Sequence, residues 1–386
     1  MDFSLTAEQQ ELRRSAREFL ADQSSSGQVR EAMQGELGRD QGVWQRVSGE
    51  MGWTAVALPE QYGGYGLGAV ELSVLMEEMG AALLCAPFFS TVCLAANALL
   101  LAGSEEQKQQ WLPRIAAGKI SAALAFAEND GSRDAGGIKA TATADGDGWR
   151  LDGVKSFVVD GATADLLVVA ACEAGGGSRD NIALFLVEAG ADGLACVATP
   201  GMDHTRRLAR VELNGVLLEA DARMVGGWAE LEDTLDLAAV ALAAEQLGGA
   251  SRVLDSTVAY AKERRQFGRP IGGFQAIKHK LADVMVKVES ARSAAYYAAW
   301  AASVGDPALP RLASLALSYC SESFFTAAAE SIQVHGGVGF SWEYDCHLYF
   351  KRARAGATLL GDPDWHRERI ARLLGIGCAD RAGLEA

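Results

Sequence analysis

The chain has 386 residues, 49% of them hydrophobic, enough to bury a large interior and to form two or three domains, which excludes disorder and a collagen-like repeat. Thirty-five basic against fifty acidic side chains give a formal charge of -15, which repels a phosphate backbone and excludes a chain-wide nucleic-acid role while leaving room for a local basic pocket. Seven cysteines stand singly with no CxxC pair, so neither a zinc site nor a disulfide framework is encoded and a reduced, cytoplasmic setting is expected.

The opening MDFSLTAEQQELRRS carries Asp, Glu and Gln where a signal or transit peptide needs an apolar or acid-poor run, so no cleavable leader is expected. From Thr6 to about Gly118 the pattern is helical: Leu12, Ala16, Phe19 and Leu20 recur at helical spacing, and residues 70–84 read the same way. Between them PEQYGGYGLG must be a loop at residues 62–66. Residues 79–104 carry no charge and are long enough to cross about 30 Å of bilayer. Pro87, Ser90, Thr91 and Asn97 interrupt them, which predicts two buried helices rather than a membrane span.

Near Ile120 the texture changes to short β-rich runs: SAALAFAE, KATATADGDGWRLDGVKSFVVDG, DLLVVAAC, NIALFLVE and RRLARVELNGVLL. Asp145-Gly146-Asp147-Gly148 and Asn214-Gly215 suit antiparallel hairpins, and no helical crossover separates the runs as a parallel sheet requires. The glycine run at residues 175–178 reads as a surface turn. After Gly226 helices return, at roughly 230–262, 275–303 and 309–334, followed by two shorter ones. The predicted domains are therefore residues 1–118, helical; 119–226, β; and 227–386, helical.

Three segments could carry chemistry. Glu245 lies alone in an apolar helix, where burial would raise its pKa toward that of a general base; the other reading pairs it with an Arg of another helix or chain. In Glu263-Arg264-Arg265-Gln266-Phe267-Gly268, Arg264 suits a pyrophosphate and Phe267 can cover an aromatic ring, although a helix end also favours Arg. In Gln333-Val334-His335-Gly336-Gly337-Val338-Gly339-Phe340 the glycines could bring main chain to a phosphate, or simply cap a helix. His335 reads as a packed or hydrogen-bonded histidine, and no metal site is expected.

With MGWTAVALPEQYGGYGLG, RRQFGRPIGGFQAIKHKLADV and QVHGGVGFSWEYDCHLYFKRARA in view, nearly the whole chain resembles an acyl-CoA dehydrogenase. The resemblance implies an α+β fold with an N-terminal helical domain, a middle β-barrel and a C-terminal four-helix bundle, binding FAD. It implies that Arg264, Phe267 and Gln275 hold the adenosine diphosphate half of FAD, and that Gln333, Gly336 and Gly337 contact it from a partner chain. It also implies an acyl-CoA substrate, an electron-transfer flavoprotein or similar acceptor, and a homo-oligomer or a heterotetramer with a homologous subunit.

Three positions depart from the family pattern. The usual catalytic Glu before a glycine falls on Leu360, and the alternative position on the first long C-terminal helix falls on Ala238, leaving Glu245 two turns further on, roughly 10 Å along the same face. The flavin-contact strand reads Phe157-Val158-Val159, so Phe157 and Val159 are the expected flavin neighbours and Val159 lacks the usual hydroxyl. Residues 127–134 replace a Thr-Glu-Pro-Gly-Ala-Gly-Ser-Asp segment, keeping only Glu128 and Asp134 in register.

The implied reaction removes the α-proton of an acyl-CoA while the β-hydride passes to flavin N5. A more distant resemblance is to a bacterial subgroup that acts on steroid-like acyl-CoA side chains as two-plus-two heterotetramers, with a Glu near this place as base. Leu360 in place of the usual Glu is expected to enlarge the pocket, and the helix glycines Gly248 and Gly249 to leave room beside Glu245, with the size and branching of the acyl group left open. The rival expectation is a non-catalytic subunit that completes the FAD site of another chain.

Overall fold

The computed structural model describes residues 5–173 and 177–376; residues 175 and 176 of the expected glycine turn, and Cys378, lie outside them. The first helices are α1 (Ala7–Gln23), α2 (Ser26–Gln34), α3 (Gln41–Gln45) and α4 (Ala69–Ala81), then a π-helical stretch Phe89–Ala96 that runs into α5 (Asn97–Ala102), and α6 (Glu105–Ala116). Strands β1 (Ala122–Ala125), β2 (Thr141–Asp145), β3 (Gly148–Val159), β4 (Leu166–Cys172), β5 (Ile182–Glu188), β6 (Leu194–Thr199), β7 (Leu208–Leu218) and β8 (Arg223–Gly227) follow. The chain continues through α7 (Trp228–Glu263), the hairpin β9 (Arg265–Gln266) and β10 (Arg269–Pro270), then α8 (Gln275–Val304), α9 (Leu309–His335), α10 (Cys346–Leu359) and α11 (Pro363–Leu373). The fold is α+β, with helical N- and C-terminal regions around a middle sheet. The uncharged stretch at 79–104 breaks at Leu83, whose φ is 49°, and no described helix is long and apolar enough to cross a membrane.

Two units form. One gathers residues up to 22, 73–83 and from 239 onward; the other holds 23–72 and 84–238. In the first unit α4 and α7 cross with their backbones in contact. A Cβ on Gly80 would lie 2.0 Å from the Glu245 carbonyl oxygen, and one on Gly248 would lie 1.8 Å from that of Glu77. Only glycine permits this approach. Glu77, buried beside the crossing, accepts from Arg13 Nη2 (2.8 Å), Arg292 Nη1 (2.5 Å) and the Tyr296 hydroxyl (2.7 Å), tying α1 and α8 to α4. Glu77→Gln is expected to lower stability by about 3 kcal/mol, because it strips the charge partner from two largely buried guanidinium groups; urea unfolding midpoints measure it.

In the second unit β4 is buried along its whole length and β5 all but its last residue, so both appear in sequence as unbroken apolar runs. Leu151, Val169, Phe185 and Val211 are fully buried in the core, and Trp149 packs edge-on against Phe185 with ring centroids 5.4 Å apart. The strand order is β6-β7-β3-β2-β4-β5-β8, with β1 alongside β4. Because β6 and β8 end this order unpaired with one another, the middle sheet is open and the expected closed barrel is corrected. Nor is the sheet wholly antiparallel: β1 pairs with β4 in parallel, an arrangement that needs no helix because β2 and β3 lie in the connection.

Asp145-Gly146-Asp147-Gly148 does turn β2 into β3, with Asp145 opposite Gly148. Asn214-Gly215 does not make a hairpin. Asp152 faces Asn214 while Leu151 faces Val216, so Gly215 is an extra residue inside β7. Its φ of 68° suits glycine, and its N–H donates to Asp152 Oδ1 at 2.9 Å. Asn-Gly favours positive φ in a bulge as readily as in a turn, and the long pairing of β7 with β3 decides between them.

Candidate active site and cofactor-binding surface

Glu245 sits mid-way along α7 and is 6% exposed. Arg352 of α10, equally buried, donates from Nη1 to Glu245 Oε1 at 3.3 Å. One turn before Arg352 the Tyr349 hydroxyl donates to the Ala81 carbonyl at 2.7 Å, and burial pushes that phenol up to about 12. The carboxylate is thus held where α4 ends against α7 and α10, and it has the arginine partner that the sequence left open. Gly248 and Gly249 do not leave the expected room beside it. Glu77 backbone fills the space at Gly248, and the Phe324 ring fills that at Gly249, where a Cβ would lie 2.4 Å from Cζ. Helix glycines serve close packing as well as cavities, and sequence does not distinguish the two. Leu360 and Ala238 are both buried and apolar, so neither can take a proton.

The segment after α7 has the opposite character. Arg264 N–H donates to the Tyr260 carbonyl at 2.8 Å, closing the helix, and Phe267 and Gly268 form the two-residue turn between β9 and β10, both with positive φ (53° and 78°). Phe267 is 91% exposed; its nearest ring is Phe274, edge-on at 6.1 Å, with Arg269 4.0 Å over the Phe274 face. Arg264 and Gln275 are exposed, and Gln275 opens the 30-residue α8, whose N-cap Phe274 supplies no side-chain acceptor. Uncapped helix N–H groups beside an arginine and an outward aromatic ring fit an adenosine diphosphate.

Gln333 is exposed near the end of α9, and Gly336 stops that helix with φ 66° and ψ −141°, its N–H donating to the Ile332 carbonyl. A Cβ added at Gly336 or Gly337 would meet nothing within 4 Å, so the main chain there is open to a ligand. The structure joins this turn to the end of α7. His335 stacks on Tyr260 with ring centroids 4.0 Å apart, and Tyr344 stands edge-on to both. Burial pushes the His335 imidazole below its ordinary value, against the opposing effect of its bond to Ser331. The unfolded chain therefore takes up this proton more readily than the folded one. The contribution of His335 to stability is full above the unfolded imidazole value of about 6.5 and is lost as pH falls through the depressed folded value. His335→Gln is expected to remove that part of the pH dependence, read as urea midpoints at pH 7 and pH 5.

The residues of the middle sheet expected beside the flavin ring fit less well. Phe157 is half-exposed at φ 58°, on a bulge where three steps along β3 from Lys155 to Val158 match two along β7. Val159 is buried and has no hydroxyl. In residues 127–134, Glu128, Asn129 and Asp130 spend their polar groups within their own unit. Glu128 Oε1 accepts from the backbone N–H of Lys139 and of Ala140 and from Lys155 Nζ, each at 2.8 Å. Asn129 Oδ1 accepts from Ser156 Oγ at 2.7 Å and Arg210 Nη1 at 3.3 Å, and Asp130 pairs with Lys139 at 3.0 Å. Lys155 is fully buried, and that burial pushes its ammonium below the usual lysine range despite Glu128.

Arg352, Lys155 and Asp236, a second buried carboxylate on α7, carry no motif that marks them in sequence. The spacing of Tyr349, Arg352 and Gly356 puts Arg352 on the inward face of α10 and could have marked it.

Comparison with known proteins decides the family. The acyl-CoA dehydrogenase N-terminal, middle and C-terminal domain descriptions match residues 6–119, 123–216 and 226–375. The chain belongs to the acyl-CoA dehydrogenase family. Members of the family are FAD-dependent oxidoreductases. Acyl-CoA dehydrogenase IpdE2 of Mycolicibacterium smegmatis is 35% identical over 369 residues, covering 96% of this chain and 98% of that protein. Among solved structures, the ChsE4–ChsE5 complex of Mycobacterium tuberculosis is similar at 31% identity and TM-score 0.89, covering 97% and 99%. A steroid ACAD, Tcur3481–Tcur3483, matches at 34% identity and TM-score 0.87 over the same shares.

Proposed function

We propose that this chain is one subunit of a heteromeric acyl-CoA dehydrogenase that works in the cytoplasm, pairs with a homologous chain and acts on a bulky, steroid-like acyl-CoA. Its own part is to complete the FAD site. The observation that carries this reading is a contrast between two sites. Both usual base positions are apolar and the carboxylate of Glu245 is held by Arg352, whereas Arg264, Phe267 and Gln275 are exposed and none of them has a side-chain ion pair or hydrogen bond among the described residues. Heteromeric and steroid-directed relatives among the similar structures support the partner and the substrate class.

Bound FAD supplies the acceptor for the hydride that leaves Cβ. The Arg264 guanidinium would neutralise diphosphate charge, the open N-terminus of α8 at Gln275 would add backbone donors, and the Phe267 ring would cover the adenine. Because this turn lies beside the end of α7 in the same chain, Gln333 and the main chain of Gly336 and Gly337 would meet the same half of the cofactor as Arg264, in place of the partner-chain contact that the resemblance implies. Phe157 offers the flavin ring only van der Waals contact, and Val159 offers no hydrogen bond. On this reading the carboxylate that removes the α-proton belongs to the homologous chain, and the electrons leave to an electron-transfer flavoprotein or a similar acceptor.

A second reading, favoured by the burial of Glu245 among apolar neighbours, makes Glu245 the base once Arg352 releases it. The absorption spectrum of the chain purified alone and after co-expression with its homologue tests the proposal. Flavin bound only in the complex is the expected result; a yellow, acyl-CoA-bleachable protein alone would overturn it.

A further inference from the structure

The end of α7 and the end of α9 carry the two segments read above as the cofactor's diphosphate-side contacts, and a single aromatic stack connects them. His335 is the last residue of α9, immediately before the open glycine turn, and it is 8% exposed. Its Nδ1 lies 2.8 Å from the Ser331 carbonyl, an acceptor only, so Nδ1 carries the proton and the ring plane is set by its own helix. Tyr260, one turn before Arg264, lies on the opposite face of that ring system at 4.0 Å and 22°. Beneath the stack the Thr257 hydroxyl donates to Ser331 Oγ at 2.8 Å, adding a second buried link between α7 and α9. Gly339 folds back on the same place: a Cβ there would sit 3.1 Å from that of His335 and 3.0 Å from the Ile332 carbonyl. An added Cβ at Gly336 or Gly337 has no such neighbour within 4 Å. The orientation of the turn is therefore set from the inner side, through His335.

We infer that Tyr260 and His335 are a positioning pair, a stack that fixes the Gly336–Gly337 main chain relative to the Arg264 hairpin so that both meet one diphosphate-bearing ligand. The inference rests on the reading of these segments as the adenosine diphosphate site. Neither ring touches the cofactor in this account; each acts through the backbone that follows it. A merely packed histidine would stabilise the fold without setting the turn.

The test uses the full chain in complex with its homologue and two readouts, hydrogen exchange of the amides at 336–340 and FAD affinity. Tyr260→Leu is expected to speed exchange at 336–340 about tenfold and to weaken FAD by a similar factor. Tyr260→Phe, which keeps the stack and loses only a hydroxyl 3.5 Å from the His335 carbonyl, is expected to match the parent protein in both. Should Tyr260→Leu fail to fold, His335→Asn carries the same test, since it removes the ring. Unchanged exchange at 336–340 in the variant lacking the stack would overturn the positioning role. Faster exchange with unchanged FAD affinity would leave the stack as the turn's support and overturn the assignment of the turn to the cofactor.

Discussion

In the assembled complex, Arg264→Ala is expected to weaken FAD by about 10- to 100-fold, and Glu245→Gln to leave turnover within about twofold of the parent. The first figure follows from losing charge-assisted hydrogen bonds of about 1.5–3 kcal/mol. The second follows from the Arg352 contact: a carboxylate held by a buried guanidinium at 3.3 Å has its charge satisfied inside the bundle. Flavin fluorescence titration reads the first, and steady-state turnover with an acyl-CoA reads the second. Loss of about 10²- to 10⁴-fold in Glu245→Gln is the scale of a missing general base and would establish the second reading instead. The flavin titration remains informative in either case, because the proposal assigns FAD retention and proton abstraction to different residues.

Lys155→Met is expected to cost about 3–5 kcal/mol. It leaves Glu128 in a buried place with its two backbone donors and no cation. The double variant with Glu128→Gln should recover most of that loss, because the amide oxygen can still accept from Lys139 and Ala140 and no charge remains to be compensated. Thermal or urea unfolding of the four proteins forms a complete cycle, and additive losses would mean that the two residues act independently. The pair matters for the site because it pins residues 127–140 against β3 two positions before Phe157. A loosened strand should show first as faster exchange around Phe157.

The long helices were legible because their apolar residues repeat at 3.6 and end on clear signals: α8 was expected at 275–303 and runs Gln275–Val304, and α9 was expected at 309–334 and runs Leu309–His335. Strands β4 and β5 were legible for a different reason, as unbroken apolar runs bounded by turns. Strands β6 and β8 were not. Leu194–Thr199 is half exposed and Arg223–Gly227 is short and glycine-ended, so neither carries a period strong enough to read. The Asn214-Gly215 dipeptide shows the limit of local chemistry, since positive φ is required in both a hairpin and a bulge and only the partner strand distinguishes them.

The amino-acid order by itself determined the family and the helix–sheet–helix order, because these depend on local periodicity and on motifs read within one stretch of chain. The tertiary structure alone decided what surrounds each polar group. It placed Arg352 on Glu245 across 107 residues of sequence, filled the space beside Gly248 and Gly249 with Glu77 and Phe324, and left the middle sheet open. A carboxylate in an apolar helix carries no local sign of the cation that meets it, since that meeting depends on how α7 and α10 pack, and packing sums many weak contacts between residues far apart in the chain.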